Sequence, residues 1–109
     1  MQVLCLCMNG LNRSKYLAEY LQRQGYQSEY GGVGSKAKHP ANQKAIDIAD
    51  VVIAVHPIVT RFLNQSLTGL VNNAKRYIEL KVPDVVPPDR DMDKVRSDLE
   101  EQINRHLPL

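Results

Sequence analysis

Cys7-Met8-Asn9-Gly10-Leu11-Asn12-Arg13-Ser14 stands between a short apolar run, Val3-Leu4-Cys5-Leu6, and a segment with helical periodicity. The chain therefore turns tightly from strand to helix here, and the rest of the sequence reads as a mount for this turn. A thiol, five residues, then a guanidinium and a hydroxyl suit phosphate chemistry. Backbone N–H groups at a helix N-terminus and one Arg can surround an anion. The same positive field favours the thiolate form of Cys7. Cysteine is also among the most buried residue types. What separates Cys7 from plain packing is its context: strand before, helix after, Gly10 within the loop and Ser14 behind the arginine.

Working outward, Gln2 to Cys7 is short and apolar, as a strand buried on both faces of a parallel sheet should be, and Cys5 belongs to its core. From Ser14 to Gln24, Leu17/Leu21 and Tyr16/Tyr20 recur at helical spacing and Gly25 marks the end, so this is a first helix. Tyr16 lies near enough to the loop to line a pocket. Tyr26 to Tyr30 alternates and reads as a second strand leaving through Gly31-Gly32-Val33-Gly34. Gly32-x-Gly34-x-x-Ala37 has dinucleotide-binding spacing, but the first strand-to-helix turn, where that fingerprint belongs, already holds the cysteine loop.

His39-Pro40-Ala41 is expected to open a short helix to Ala49, with Pro in its first turn. Val51 to Val55 is a buried strand, and a helix starting near Pro57 carries Ile58/Phe62 and Val59/Leu63 at four-residue spacing. His56, at that strand's carboxyl end, is expected to be structural or solvated. Gln65 to Asn73 is rich in turn residues, and Lys75 to Leu80 alternates as a fourth strand. Lys81 to Asp89 holds three prolines and makes a stiff extended loop. Met92 to Leu107, with Val95, Leu99 and Ile103 four apart, closes the chain as a helix. Strand and helix alternate throughout, which argues a parallel, three-layer α/β sandwich.

Cys-x5-Arg-Ser directly after the first strand resembles the phosphate loop of the low-molecular-weight protein tyrosine phosphatases. The ending Asn12-Arg13-Ser14 is also similar to the RNA polymerase C-terminal-domain phosphatases built on the same fold. One departure stands out. The common family loop carries Asn third after the cysteine, whereas here Gly10 takes that place and Asn9 precedes it. Glycine tolerates the left-handed backbone of such a turn. The resemblance implies a four-stranded parallel sheet of order 2-1-3-4 with helices on both faces. It also makes Gly31 to Ser35 the counterpart of the family's Ser-Ala-Gly turn near the site.

An ester-cleaving thiolate needs an acid for the leaving group. Asp84 lies four residues beyond the last strand, at the same sheet edge as Cys7. The two strand spacings between them, about 10 Å, are within reach of an extended loop. The resemblance agrees, since the family places its acid shortly before the last helix and Val82-Pro83-Asp84 matches that context. Asp89 is the reserve, while Asp91 and Asp93 read as helix-start charges. The expected catalytic set is Cys7, Arg13 and Asp84, with Met8, Asn9, Gly10, Leu11, Asn12, Arg13 and Ser14 binding phosphate. No metal or cofactor is called for, because Arg13 and backbone dipoles supply the positive field.

The implied activity is that of a cysteine-dependent phosphatase working through a phosphocysteine on a phosphorylated protein or a small phosphate ester, with phosphotyrosine first. Val85-Val86 stand where tyrosine-specific relatives often carry aromatic residues, so no stacking wall is evident for a phenyl ring. A phosphocarrier would not need Arg13 or Asp84 in these roles, and a non-catalytic phosphopeptide-binding module could lose the acid. An arsenate reductase on this fold would need further cysteines beyond Cys7, and there are none.

The 109 residues, 43% hydrophobic, suit one domain spanning 1–109. Fourteen basic against 12 acidic residues give +2, too scattered to argue a nucleic-acid or membrane surface. No apolar stretch approaches the roughly 18 to 20 residues that span a bilayer, and no leader pattern opens the chain. Cys5 and Cys7 are too close along one strand for an unstrained disulfide, and with dispersed histidines they offer little to a metal. A cytoplasmic setting with reduced thiols is the expectation.

Overall fold

The strand before the loop is apolar at five successive positions because it lies in the middle of a sheet. In the computed structural model, which describes residues 1–10, 12–34, 37–66, 76–83 and 92–109, β1 (Gln2–Cys7) is buried from Val3 to Cys7. Its neighbours are β2 (Gln27–Gly32) on one side and β3 (Val51–Ala54) on the other, and β4 (Arg76–Glu79) lies beyond β3. All pairings are parallel, in the order β2-β1-β3-β4. The register sets Cys7 opposite Gly32 and Leu6 opposite both Gly31 and Ala54. Asp50 fixes the other end. Its carboxylate accepts from the Gln2 N–H at 2.8 Å while its own N–H donates to the Gln2 carbonyl at 2.8 Å.

Among the described residues, four helices connect and cover the strands: α1 (Arg13–Arg23), α2 (Gln43–Ile48), α3 (Pro57–Ser66) and α4 (Met92–Asn104). Right-handed crossovers put α1 on one face and α2 and α3 on the other. α4 returns to pack against α1, where Val95, Leu99 and Ile103 are buried, as are Leu17, Ala18 and Leu21 of α1. This is the α/β architecture and strand order read from the sequence. Among the described residues, no helix is long and apolar enough to cross a membrane.

Several boundaries differ from expectation. β2 does not stop at Tyr30 but runs through Gly31 and Gly32, since these glycines keep pairing with Leu6 and Cys7 of β1. α2 does not begin at Pro40. The Asn42 side chain accepts from the Ala45 N–H at 2.8 Å and caps the helix, while Pro40 bridges to Gly32. A side-chain oxygen that satisfies a free helix N–H fixes the start better than proline's preset φ alone. α4 ends at Asn104 rather than Leu107, because the residue before Pro108 is pushed out of helical geometry. β3 closes at Ala54, and α3 extends to Ser66.

Candidate active site

β1 delivers Cys7 to the carboxyl edge of the sheet, and α1 starts with Arg13 after a single short loop. The loop folds back on the sulfur. Gly10 donates its N–H to Cys7 Sγ at 3.1 Å, and Ser14 Oγ lies 3.0 Å from the same atom. Cys7, Arg13 and Ser14 are all buried, at 3%, 4% and 0% exposure. The sulfur thus sits out of solvent with a backbone N–H and a hydroxyl within hydrogen-bond distance.

The remaining loop groups are oriented from outside. The carbonyls of Cys7, Met8 and Asn9 accept from the N–H groups of Val33 (2.9 Å), Gly34 (2.9 Å) and Lys38 (3.2 Å). In a trans peptide the following N–H points opposite to the carbonyl. Holding three carbonyls outward therefore turns the N–H groups of Met8, Asn9 and Gly10 away from them, and that of Gly10 is the one found on the sulfur. Successive inward N–H groups form an anion-binding concavity.

Glycines make this close fit feasible. Gly10 has φ +70°, and a Cβ there would lie 2.6 Å from both the Gly32 nitrogen and the His39 carbonyl oxygen. A Cβ on Gly32 would sit 2.6 Å from Asn9 C and Gly10 N, and one on Gly34 would be 3.0 Å from the Met8 oxygen. Gly32 and Gly34, which mimic a dinucleotide fingerprint in the sequence, serve as the mould of the cysteine loop. No helix opens at them, since α2 begins only at Gln43.

Arg13 Nη1 donates to the Val82 carbonyl at 2.7 Å, and the Val82 N–H donates in turn to Val55 O at 2.9 Å. The guanidinium is thereby tied to the segment that leaves β4. Asp84 and Asp89, like Leu11, lie outside the described residues, which lead up to Pro83. Cys5, two residues before Cys7, is fully buried. Burial, reinforced by charge at Cys7, pushes its thiol far up and keeps it protonated. Both cysteines are free thiols.

His56 acts locally, its Nδ1 accepting from the Ile58 N–H at 3.2 Å at the start of α3. Tyr16 donates to Glu100 at 2.8 Å, and this bond is the main cause that raises its phenol. It also lines a cleft with Asn12 of the loop, as its sequence position suggested. The resemblance places Gly31 to Ser35 near the site, and Gly32 and Gly34 are found there, whereas the Val82 carbonyl and the Lys38 N–H were not anticipated. The glycine spacing carried a signal for the mould, whereas a backbone carbonyl has no sequence signature.

A parallel β2-β1-β3-β4 sheet with a Cys-x5-Arg-Ser loop behind its first strand is the low-molecular-weight protein tyrosine phosphatase fold, and solved structures superpose on this chain accordingly. The YwlE arginine phosphatase from Geobacillus stearothermophilus matches at TM-score 0.74 and 16% identity, over 96% of this chain and 89% of that one. The low-molecular-weight protein tyrosine phosphatase of Streptococcus pyogenes matches at TM-score 0.63 and 11% identity, over 95% and 91%. The thioredoxin-dependent arsenate reductase Cg_ArsC1' of Corynebacterium glutamicum matches at 0.68 and 13%, over 96% and 59%. No protein-family model matches the sequence, and a search of curated proteins finds no match either.

Proposed function

We propose that this chain is a cysteine-dependent phosphatase that hydrolyses phosphate monoesters, with protein phosphotyrosine as its first substrate class. The observation that carries the reading is the buried Cys7 sulfur, bonded by Gly10 N–H and Ser14 Oγ at the base of a loop that opens α1 with Arg13. Cys7 Sγ attacks phosphorus and forms the S–P bond as the ester P–O bond breaks, and Asp84 gives its proton to the departing oxygen. Arg13 and the loop N–H groups hold the non-bridging oxygens, whose charge they neutralise. Water then attacks phosphorus with Asp84 as base, and the thiolate leaves into the hydrogen bonds of Ser14 and Gly10.

Hydrolysis of p-nitrophenyl phosphate from about pH 4 to 8 tests this, around the carboxylate and histidine ranges, with chelator present. Cys7→Ser is expected to abolish turnover while still binding phosphate, and Asp84→Ala to slow it by about 100-fold or more. Retained turnover in Cys7→Ser would sink the mechanism. A wild type that binds phosphate without turnover would point to a phosphopeptide-binding module. Peptides carrying phosphotyrosine, phosphoserine or phosphoarginine, compared by kcat/KM, decide the substrate class.

A further inference from the structure

Beside the phosphate loop, between the first turns of α1 and α4, lies an open cleft of about 260 Å³ lined by Asn12, Lys15, Tyr16, Glu19, Met92 and Arg96. It begins at the loop itself, through Asn12, one residue before Arg13. Its two cations have no carboxylate partner among the described residues. Arg96 is placed over the Tyr16 ring, 5.2 Å from its centroid, and that ring is anchored through its hydroxyl to Glu100 at 2.8 Å. Stacking positions a guanidinium while leaving its N–H edge able to meet an anion.

On the far side of Arg96 a second depression is lined by Asp93, Glu100 and Glu101, so negative charge is disfavoured there. Among the described residues lining the first cleft, the one opposing charge is Glu19, one helical turn beyond Lys15. The favourable place for an anion is therefore the end nearest the loop, between Lys15 and Arg96.

We propose that this cleft is a specificity subsite that takes an acidic side chain flanking the phosphorylated residue of a peptide substrate. The inference rests on the phosphatase reading above and assigns it a substrate class: phosphopeptides with Glu or Asp beside the phosphoresidue. Lys15 and Arg96 make the contact, and Glu19 limits how far into the cleft the carboxylate can sit. A small ester such as p-nitrophenyl phosphate occupies the loop alone and does not reach them.

The test compares two phosphotyrosine peptides that differ only in Glu or Gln at the flanking positions, with p-nitrophenyl phosphate as the common reference. Wild type should favour the Glu peptide in kcat/KM by about fivefold at low salt, the scale of exposed charge pairs, with the preference fading as salt is added. Arg96→Gln and Lys15→Gln should each reduce that ratio, Glu19→Gln should raise it, and all three should hydrolyse p-nitrophenyl phosphate like wild type. Equal kcat/KM for the two peptides in wild type, or a preference untouched in the Arg96→Gln, Lys15→Gln double variant, would overturn the subsite. If wild type hydrolyses neither the peptides nor p-nitrophenyl phosphate, the phosphatase reading is what has failed. The fluorescence anisotropy of the two labelled peptides then decides the subsite: tighter binding of the Glu peptide supports it, and equal affinities overturn it.

Discussion

Ser14 and Cys5 act on the same sulfur neighbourhood in opposite ways. Ser14, fully buried, sits 3.0 Å from Cys7 Sγ and can donate to it in the thiolate state. A hydrogen bond to a charged group contributes about 1.5–3 kcal/mol. Ser14→Ala should therefore slow release of the thiolate from the phosphocysteine by about 10- to 100-fold. Stopped-flow measurement would show a rapid burst of p-nitrophenol equal to the enzyme present, then slow turnover. Steady rates equal to wild type would remove Ser14 from the chemistry.

Cys5 instead stays neutral. The unfolded thiol ionises near pH 8.5, whereas the folded one, pushed up by burial and by Cys7, keeps its proton. Above that pH the folded chain binds one more proton than the unfolded chain. This contribution is intact at lower pH and declines as pH rises. Between about pH 8 and 10, the urea midpoint of wild type should fall more than that of Cys5→Ala. Parallel curves would mean that Cys5 does not change protonation on unfolding.

Turns and caps decide how well each element holds the site. Gly32→Ala needs no unusual φ, yet its methyl would meet the Asn9 and Gly10 backbone at 2.6 Å, so the cysteine loop must shift. Misplacement of about 1 Å can cost on the order of 100-fold in rate, and a loss of at least tenfold in kcat is expected. Gly25→Ala is the complement: φ is +95°, but nothing lies within 4 Å. It should lower stability by about 1–2 kcal/mol through left-handed strain alone and leave kcat unchanged. Thermal melts paired with p-nitrophenyl phosphate rates separate the two.

The sequence was legible where one local force dominates. Continuous apolar residues marked β1 and β3, and a four-residue stripe marked α4, because burial alone decides those segments. It was less legible where two local rules compete. At the start of α2, the Asn42 side chain outweighs Pro40, and at the end of β2, pairing with β1 outweighs the turn preference of Gly31 and Gly32. Within the site, Cys7, Arg13 and Ser14 could be read from spacing. Lys38 and Val82 could not, since they contribute through the backbone and any residue type supplies those groups.

At the scale of the molecule, parallel topology gathers the loop after β1, the exit of β2 and the exit of β4 along one sheet edge. An anion held there binds only the folded chain. Orthophosphate at about 100 times its dissociation constant should then add about 2.7 kcal/mol of stability, a rise of roughly ten degrees or more for a chain of this size. Calorimetric scans across phosphate concentrations should show this for wild type and a flat response for Arg13→Ala. An equal rise in both would place the anion elsewhere.

The tie between Arg13 and the Val82 carbonyl joins residues 69 positions apart. Every residue of the Cys-x5-Arg-Ser segment is among the first 14 of the chain, and its glycine mould follows soon after. During synthesis these parts emerge well before the carbonyl that anchors the guanidinium. A nascent chain that has released only β1, α1 and β2 therefore holds the whole motif without this anchor for its arginine. That part of the site arrives when the segment after β4 docks against β3, so an arginine made before β2 receives this anchor only after β4.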